Sequence, residues 1–235
     1  MRWRRPHRGR RVPNVTYRAG DVLRISCPFA TTFVSRVGEY DVIIRWPWWE
    51  IDPDSDFIRW NGEVALSLRD PGELYTTEPP VGNLVSGQIC RVGLPPRIVH
   101  VLEVQEYDPP QVSGWLPRSS LELLVLTAGE APDPRAEFQG TAIEVDGGVP
   151  ITYEMVFRPY AFLELGDDVA DSDQRAWRFG GPFAWTAFDG GSGAPAWPLT
   201  LLDGDADADV VASVTAAGEH ADEIARWRRE AGLGN

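Results

Sequence analysis

Residues 40–68, YDVIIRWPWWEIDPDSDFIRWNGEVALSL, constrain the fold more than any other passage of the chain. Tyr40, Val42, Ile44, Trp46 and Trp48 alternate with Asp41, Ile43, Arg45, Pro47 and Trp49, so an extended segment here carries apolar side chains on both faces. A strand of that kind must be covered twice, and proline cannot donate to a ladder, so a central strand ending at Pro47 is expected. Asn61-Gly62 supplies the dipeptide of a type I′ turn, in which both central residues take positive φ. Such a hairpin pairs residues 57–60 with 63–68, setting Trp60 against Glu63, Arg59 against Val64, Ile58 against Ala65 and Phe57 against Leu66.

Composition narrows the function classes. The 235 residues are 43% hydrophobic, enough for one large all-β domain or two small ones. Charge is lopsided: 22 basic residues, every one an arginine, face 35 acids for a net of −13. The lack of lysine excludes Schiff-base catalysis, pyridoxal-phosphate attachment and a P-loop lysine, each of which needs an ε-amine. Cys27 and Cys90 are the only thiols and His7, His100 and His220 the only imidazoles, so no Cys/His zinc cluster can be assembled and no cofactor is expected. Both cysteines sit in strand-like apolar contexts and read as buried small hydrophobes, with a disulfide as the competing reading. No apolar run approaches the roughly 18 residues of a membrane span, so a cytoplasmic protein without membrane contact is expected.

Taken in order, the chain opens with six arginines in eleven residues: Arg2, Arg4, Arg5, Arg8, Arg10 and Arg11. Without them 16 arginines face 35 acids, a net of −19, so residues 1–14 form a basic arm on an acidic body. The arm reads as a disordered tail or an over-long start, and phosphate binding by those six arginines is the nucleic-acid alternative. Residues 15–127 then read as a β-rich domain, SH3-like or another small barrel or sandwich, with strands at 88–92 and 98–107 around the turn GLPP. His100 shares a strand face with Ile98, Leu102 and Val104 and reads as a partly buried structural histidine. Residues 19–26 and 86–93 share the order small, Gly, polar, β-branched, X, Arg, β-branched, small, which suggests an internal repeat; coincidence in so Gly-, Val- and Arg-rich a chain explains the match equally well.

Residues 128–136 read as a Pro- and Ala-rich linker to a second antiparallel unit at 137–202. In that unit strands 138–145 and 149–157 form a hairpin about Asp146-Gly147-Gly148, followed by strands at 160–165 and 177–188, the last kinked at Gly180-Gly181-Pro182. Residues 203–235 read as an acidic loop and one helix, because Val210, Val214, Ala217, Ala221 and Ile224 recur at helical spacing and the preceding aspartates suit an N-terminus. The fold expected is therefore mainly β, two small strand-rich units with a single C-terminal α-helix.

Asp52, Asp54, Asp56 and Glu63 have the one, three, five, twelve spacing of a calcium loop. Phe57 stands where that loop needs glycine, and strands rather than helices flank it, so an acidic β-loop is the better reading and no metal is expected. No GxSxG, GxGxxG or HExxH motif occurs, which leans against an enzyme. What remains is Trp46, Trp48 and Trp49 beside Asp52, Asp54 and Asp56. Aromatic anchors with a charged rim are the composition of protein-binding hot spots, against the plainer reading that all three indoles are core. The expectation is a non-enzymatic protein whose acidic surface engages a basic protein partner, as antitoxin- or immunity-like inhibitors do. The alternatives are a small enzyme with a dispersed polar site and the nucleic-acid binder already named.

Overall fold

A computed structural model of the protein describes residues 16–56, 60–69, 74–133, 135–136 and 139–234. Among these, the strands in chain order are β1 (Val22–Val37), β2 (Asp41–Arg45), β3 (Glu50–Ile51), β4 (Glu63–Ser67), β5 (Thr76–Glu78), β6 (Ile89–Glu106) and β7 (Trp115–Leu116). They continue as β8 (Leu121–Thr127), β9 (Thr141–Glu144), β10 (Thr152–Phe157), β11 (Asp168–Ala170), β12 (Ala176–Phe179), β13 (Trp185–Ala187) and β14 (Thr200–Asp203), followed by helices α1 (Ala208–Ala216) and α2 (His220–Glu230). The chain is mainly β, as expected, but ends in two helices rather than one.

Two long strands, β1 and β6, lie antiparallel at the middle of a curled sheet of order β4-β2-β1-β6-β8-β9, with β10 added to β1 and β5 to β6. Their register carries an internal duplication. Val22 faces His100 and Ile89 faces Phe33; Leu23 faces Val99 and Cys90 faces Thr32; Ile25 faces Arg97 and Val92 faces Ala30. Each pair maps on the next with partners exchanged, since Val22 to Ile89 and Phe33 to His100 are both 67 residues, and Cys27 opposite Leu94 maps on itself. The outer strands follow: Ile44 pairs with Val34 and Val125 with Val101, and the register shifts just beyond both Val34 and Val101. A local twofold thus relates β1, β2, β4 and β5 to β6, β8, β9 and β10. The last strand of each half crosses to the other half's long strand, and even the surface ion pair repeats, Arg24 to Glu154 on β10 and Arg91 to Glu78 on β5. The echo of residues 19–26 in 86–93 is the opening of each half: Gly20 (φ +89) and Gly87 (φ +81) take the same left-handed turn.

The duplication explains the cysteines. Cys27 and Cys90 are both free and nearly fully buried, and each occupies a place where the other half has leucine, Leu94 and Leu23 respectively. The sulfurs serve as apolar filling, and burial pushes the Cys27 thiol up to about 11.

Several local readings change. β4, which follows the Asn61-Gly62 turn, pairs with β2, so Glu63 faces Arg45, Val64 faces Ile44, Ala65 faces Ile43 and Leu66 faces Val42. Gly62 alone has positive φ, while the Asn61 side chain accepts from the Glu63 amide, and residues 57–59 lie outside the described residues. The GLPP segment is no turn. It runs inside β6, where the pairing with β1 shifts between Ile25 and Cys27 and between Cys27 and Ala30, so bulges leave Pro95 and Pro96 without a ladder bond to supply. Strands β9 and β10, read as a hairpin of the second unit, pair instead with β8 and β1 and complete the duplicated sheet. Residues 128–136 therefore connect neighbouring strands of one sheet.

What stands apart is the four-stranded sheet β13-β12-β11-β14 with the helices, closed over Tyr160, Trp177, Phe179, Leu199 and Val211. The segment read as one kinked strand at 177–188 is the hairpin β12–β13, with Trp177 opposite Ala187 and Phe179 opposite Trp185. Residues 160–165 form turns, not a strand. Asp207 caps α1 by accepting from the Asp209 and Val210 amides, as the acidic run foreshadows, and the helix stops before Gly218, where an added Cβ would approach the Trp197 ring at 3.3 Å.

This unit is fastened to one end of the duplicated sheet by buried polar bonds. Arg18, 4% exposed, donates to the Leu163, Pro159 and Tyr160 carbonyls at 2.7, 2.7 and 2.8 Å. Asp21, fully buried, takes a two-pronged ion pair from Arg158, and the Trp227 indole N–H donates to the Gly20 carbonyl at 2.9 Å. Around these, Trp227 and Ala231 of α2 and its following turn close over Val22, His100 and Phe157.

Candidate functional site

Where β2 ends, Trp46 continues the ladder for one bond, its amide donating to the Gly62 carbonyl, and Pro47 then turns the chain back. The short ribbon of β3 with β7, Glu50 opposite Leu116 and Ile51 opposite Trp115, holds the returning chain against the second half of the duplication. Trp46, at 4% exposure, is core; it meets Trp48 and Tyr75 edge-on, with ring centroids 4.9 and 5.0 Å apart. Trp49 stacks on Trp115 at 4.5 Å with the planes 8° apart, and Trp60 stands edge-on to both. These offset and T-shaped contacts are the arrangements that aromatic quadrupoles favour, each adding about 0.5–1.5 kcal/mol beyond area burial.

Three indole N–H groups hold this aromatic box in place, while the buried Trp46 Nε1 has no partner among the described residues. Trp49 donates to the Gly147 carbonyl, Trp60 to the Glu63 carbonyl and Trp115 to both oxygens of Glu144. Burial pushes the Glu144 carboxyl above its ordinary value; the Trp115 bond opposes this, and the charges of Glu122 and Asp146 reinforce it. Asp146 behaves oppositely: against the effect of its own burial, bonds from Ser119, Ser120 and the Leu121 amide hold it below the usual carboxylate range. A Cβ at Gly147 would fall 2.2 Å from a Glu144 oxygen, so this corner demands glycine.

The acids divide. Asp52 is 5% exposed and bound by the Arg118 guanidinium, with Nε and Nη2 each 2.8 Å from one oxygen, while its other oxygen accepts from the Asp54 amide. The lead position of the calcium-like spacing is therefore already neutralised by an arginine. Asp54, Asp56 and Glu50 are exposed, and no described arginine pairs with them. Of the six residues picked from sequence, Trp48, Trp49, Asp54 and Asp56 lie at the surface edge, whereas Trp46 and Asp52 are structural. Arg2, Arg4, Arg5, Arg8, Arg10 and Arg11 lie outside the described residues. Sequence reasoning missed Trp115, Tyr75 and Glu144, which arrive from loops and strands far along the chain; the bare presence of tryptophan at 115 between Gly114 and Pro117 was the one available signal.

Compared with protein-family models, with curated proteins and with solved structures, the chain matches none. Among the described residues no group of three or more His, Cys, Asp or Glu side chains could hold a metal ion, and no helix is long and apolar enough to cross a membrane.

A second polar cluster sits in the helical unit. The Tyr160 hydroxyl lies 2.6 Å from His220 Nδ1, and Glu223 accepts from the Tyr160 amide at 2.8 Å, beside a cleft of about 270 Å³ lined by Trp197, Gly218, Glu223, Arg226 and Arg229. Tyr160 is fully buried with φ +53, and burial moves its hydroxyl up and His220 down. The bonds clasp a left-handed residue between the sheet and α2, which is a structural task.

Proposed function

We propose that the protein is a non-enzymatic binding protein whose aromatic box and acidic edge engage a basic protein surface, in the manner of immunity- or antitoxin-like inhibitors acting in the cytoplasm. The observation that carries this reading is the adjacency of exposed Asp54, Asp56 and Glu50 to the half-buried Trp48 and Trp49, on a scaffold where the Trp49, Trp60 and Trp115 indoles are hydrogen-bonded in place. A rigid aromatic edge loses little entropy on docking, and carboxylates that pair with no arginine among the described residues are free to attract a partner's cations. The net charge of −13 extends that attraction to long range. Two unpaired, buried thiols suit a reducing compartment.

The test begins with crosslinking of the intact protein in its native lysate and identification of the crosslinked residues. Binding kinetics with the recovered partner follow. Asp54→Asn/Asp56→Asn should slow association at least severalfold at low salt and little at about 1 M, where the Debye length is about 3 Å. Trp48→Ala should mainly speed dissociation. Unchanged rates in both variants, with crosslinks mapping elsewhere, would sink the reading.

A further inference from the structure

The twofold duplication makes one end of the sheet a template for the other. At the covered end the helical unit rests on Arg18, Gly20, Val22 and His100. Their counterparts 67 residues along or back are Val85, Gly87, Ile89 and Phe33, and the backbone around them is the same. The Arg18 amide donates to Asp21 Oδ2 and the Val85 amide to Gln88 Oε1, both at 3.0 Å. Gly20 N donates to the Val101 carbonyl and Gly87 N to the Val34 carbonyl, both at 2.8 Å. The environments differ completely. Val22 and His100 are fully buried, whereas Ile89 is 72%, Val85 62% and Phe33 47% exposed. A Cβ on Gly20 would strike Pro182 at 2.5 Å, while one on Gly87 meets nothing within 4 Å. Every counterpart side chain is apolar, and because Phe33 stands opposite Ile89 their exposed surfaces are contiguous, as in a patch that a partner covers.

We propose that this bare face, Phe33, Val85 and Ile89 around Gly87, docks a basic amphipathic helix of a partner protein as the opposite end docks α2. The covered end specifies the occupant: an indole whose N–H reaches the glycine carbonyl, as Trp227 reaches Gly20, and a small residue one turn later, as Ala231 provides. Charge specifies the rest. The chain's net charge of −13 favours a cationic helix; in α2 itself Arg226, Arg228 and Arg229 are balanced by Asp222, Glu223 and Glu230, and Arg226 lies 4.5 Å over the Phe157 ring. This face is separate from the aromatic box, because Phe33 and the buried Thr32, which bonds to the Arg45 carbonyl beside Trp46, project to opposite sides of β1.

The probe is an acetylated and amidated peptide copying residues 219–234 with Asp222→Asn, Glu223→Gln and Glu230→Gln, which leaves its three arginines in excess, titrated into the isotopically labelled full chain. Saturable shifts are expected at Phe33, Gly87 and Ile89, with affinity falling at least tenfold for the Trp227→Ala peptide and for the Ile89→Asp protein. Ile89 is largely exposed, so that variant should keep its melting temperature; Val85→Asp serves as the second variant and should show the same loss. Trp48→Ala in the aromatic box should leave peptide binding intact, which separates this proposal from the preceding one. Three results would each overturn it: no saturation up to about millimolar peptide, shifts centred on Val22 and His100 as the peptide displaces α2, or sedimentation showing that the free chain dimerises through Ile89.

Discussion

His100 shows how much a single position owes to its place in the duplication. Its ring is fully buried against Trp227, neither nitrogen has a hydrogen-bond partner among the described residues, and burial lowers its pKa from 6.5 against the weaker pull of Glu130. A depressed histidine stays neutral in the folded chain while the unfolded chain takes up a proton, so stability present above about pH 6.5 is lost as pH falls. The other half holds phenylalanine at the same place, and His100→Phe should flatten that loss. Relieving unpartnered buried nitrogen should also gain about 1–3 kcal/mol, less any cost of the larger ring; thermal melts at pH 5 and 7 measure both effects. Glu144 runs the other way. Its raised value means that the folded chain holds a proton which the unfolded chain has released, so it costs stability as pH rises through the folded value. Glu144→Gln keeps an acceptor for Trp115 and should raise the melting temperature at pH 7 but not at pH 3.

At the level of elements, period and caps were legible while partners were not. The β2 strand, the buried cysteines and the Asp207 cap could be read because alternation and capping are local properties; Asp207→Ala should cost about 1 kcal/mol, measurable by denaturant titration. The partner of β4 could not. Asn61-Gly62 is a hairpin signal, but Val42 and Ile44 are fully buried in β2, and a strand with that load needs a neighbour wherever in the chain one exists. Gly93-Leu94-Pro95-Pro96 misled for a related reason: turns and bulges recruit the same residues, and only the facing strand decides which forms. The helical spacing from Val210 to Ile224 ran through Gly218, where the structure instead separates α1 from α2. The candidate site was half legible, since Trp48, Trp49, Asp54 and Asp56 fall within nine residues of the chain, whereas Trp115 and Glu144 reach it only through the second half of the sheet.

For the whole molecule the decisive feature is that β5 completes the second half and β10 the first. Neither half closes its own sheet. Residues 16–84 and 85–234, expressed separately, should each lack a cooperative unfolding transition, and mixing them should restore one that circular dichroism detects. Independent folding of either fragment would show that the exchanged strands are dispensable. The same interdependence delays the gain from pairing until residues 56 to 135 apart in the chain have met, so folding should be slow for a domain of this size.

An exchanged terminal strand is what two separate copies of one half would show if they assembled across a twofold axis. Joined in a single chain, such copies no longer share one gene sequence. A substitution in a two-copy assembly falls at both ends at once; here it falls at one, so one end could acquire a histidine under an indole while its twin kept a bare phenylalanine. Specialisation of the two ends needed no new fold, only the freedom of each copy to mutate alone.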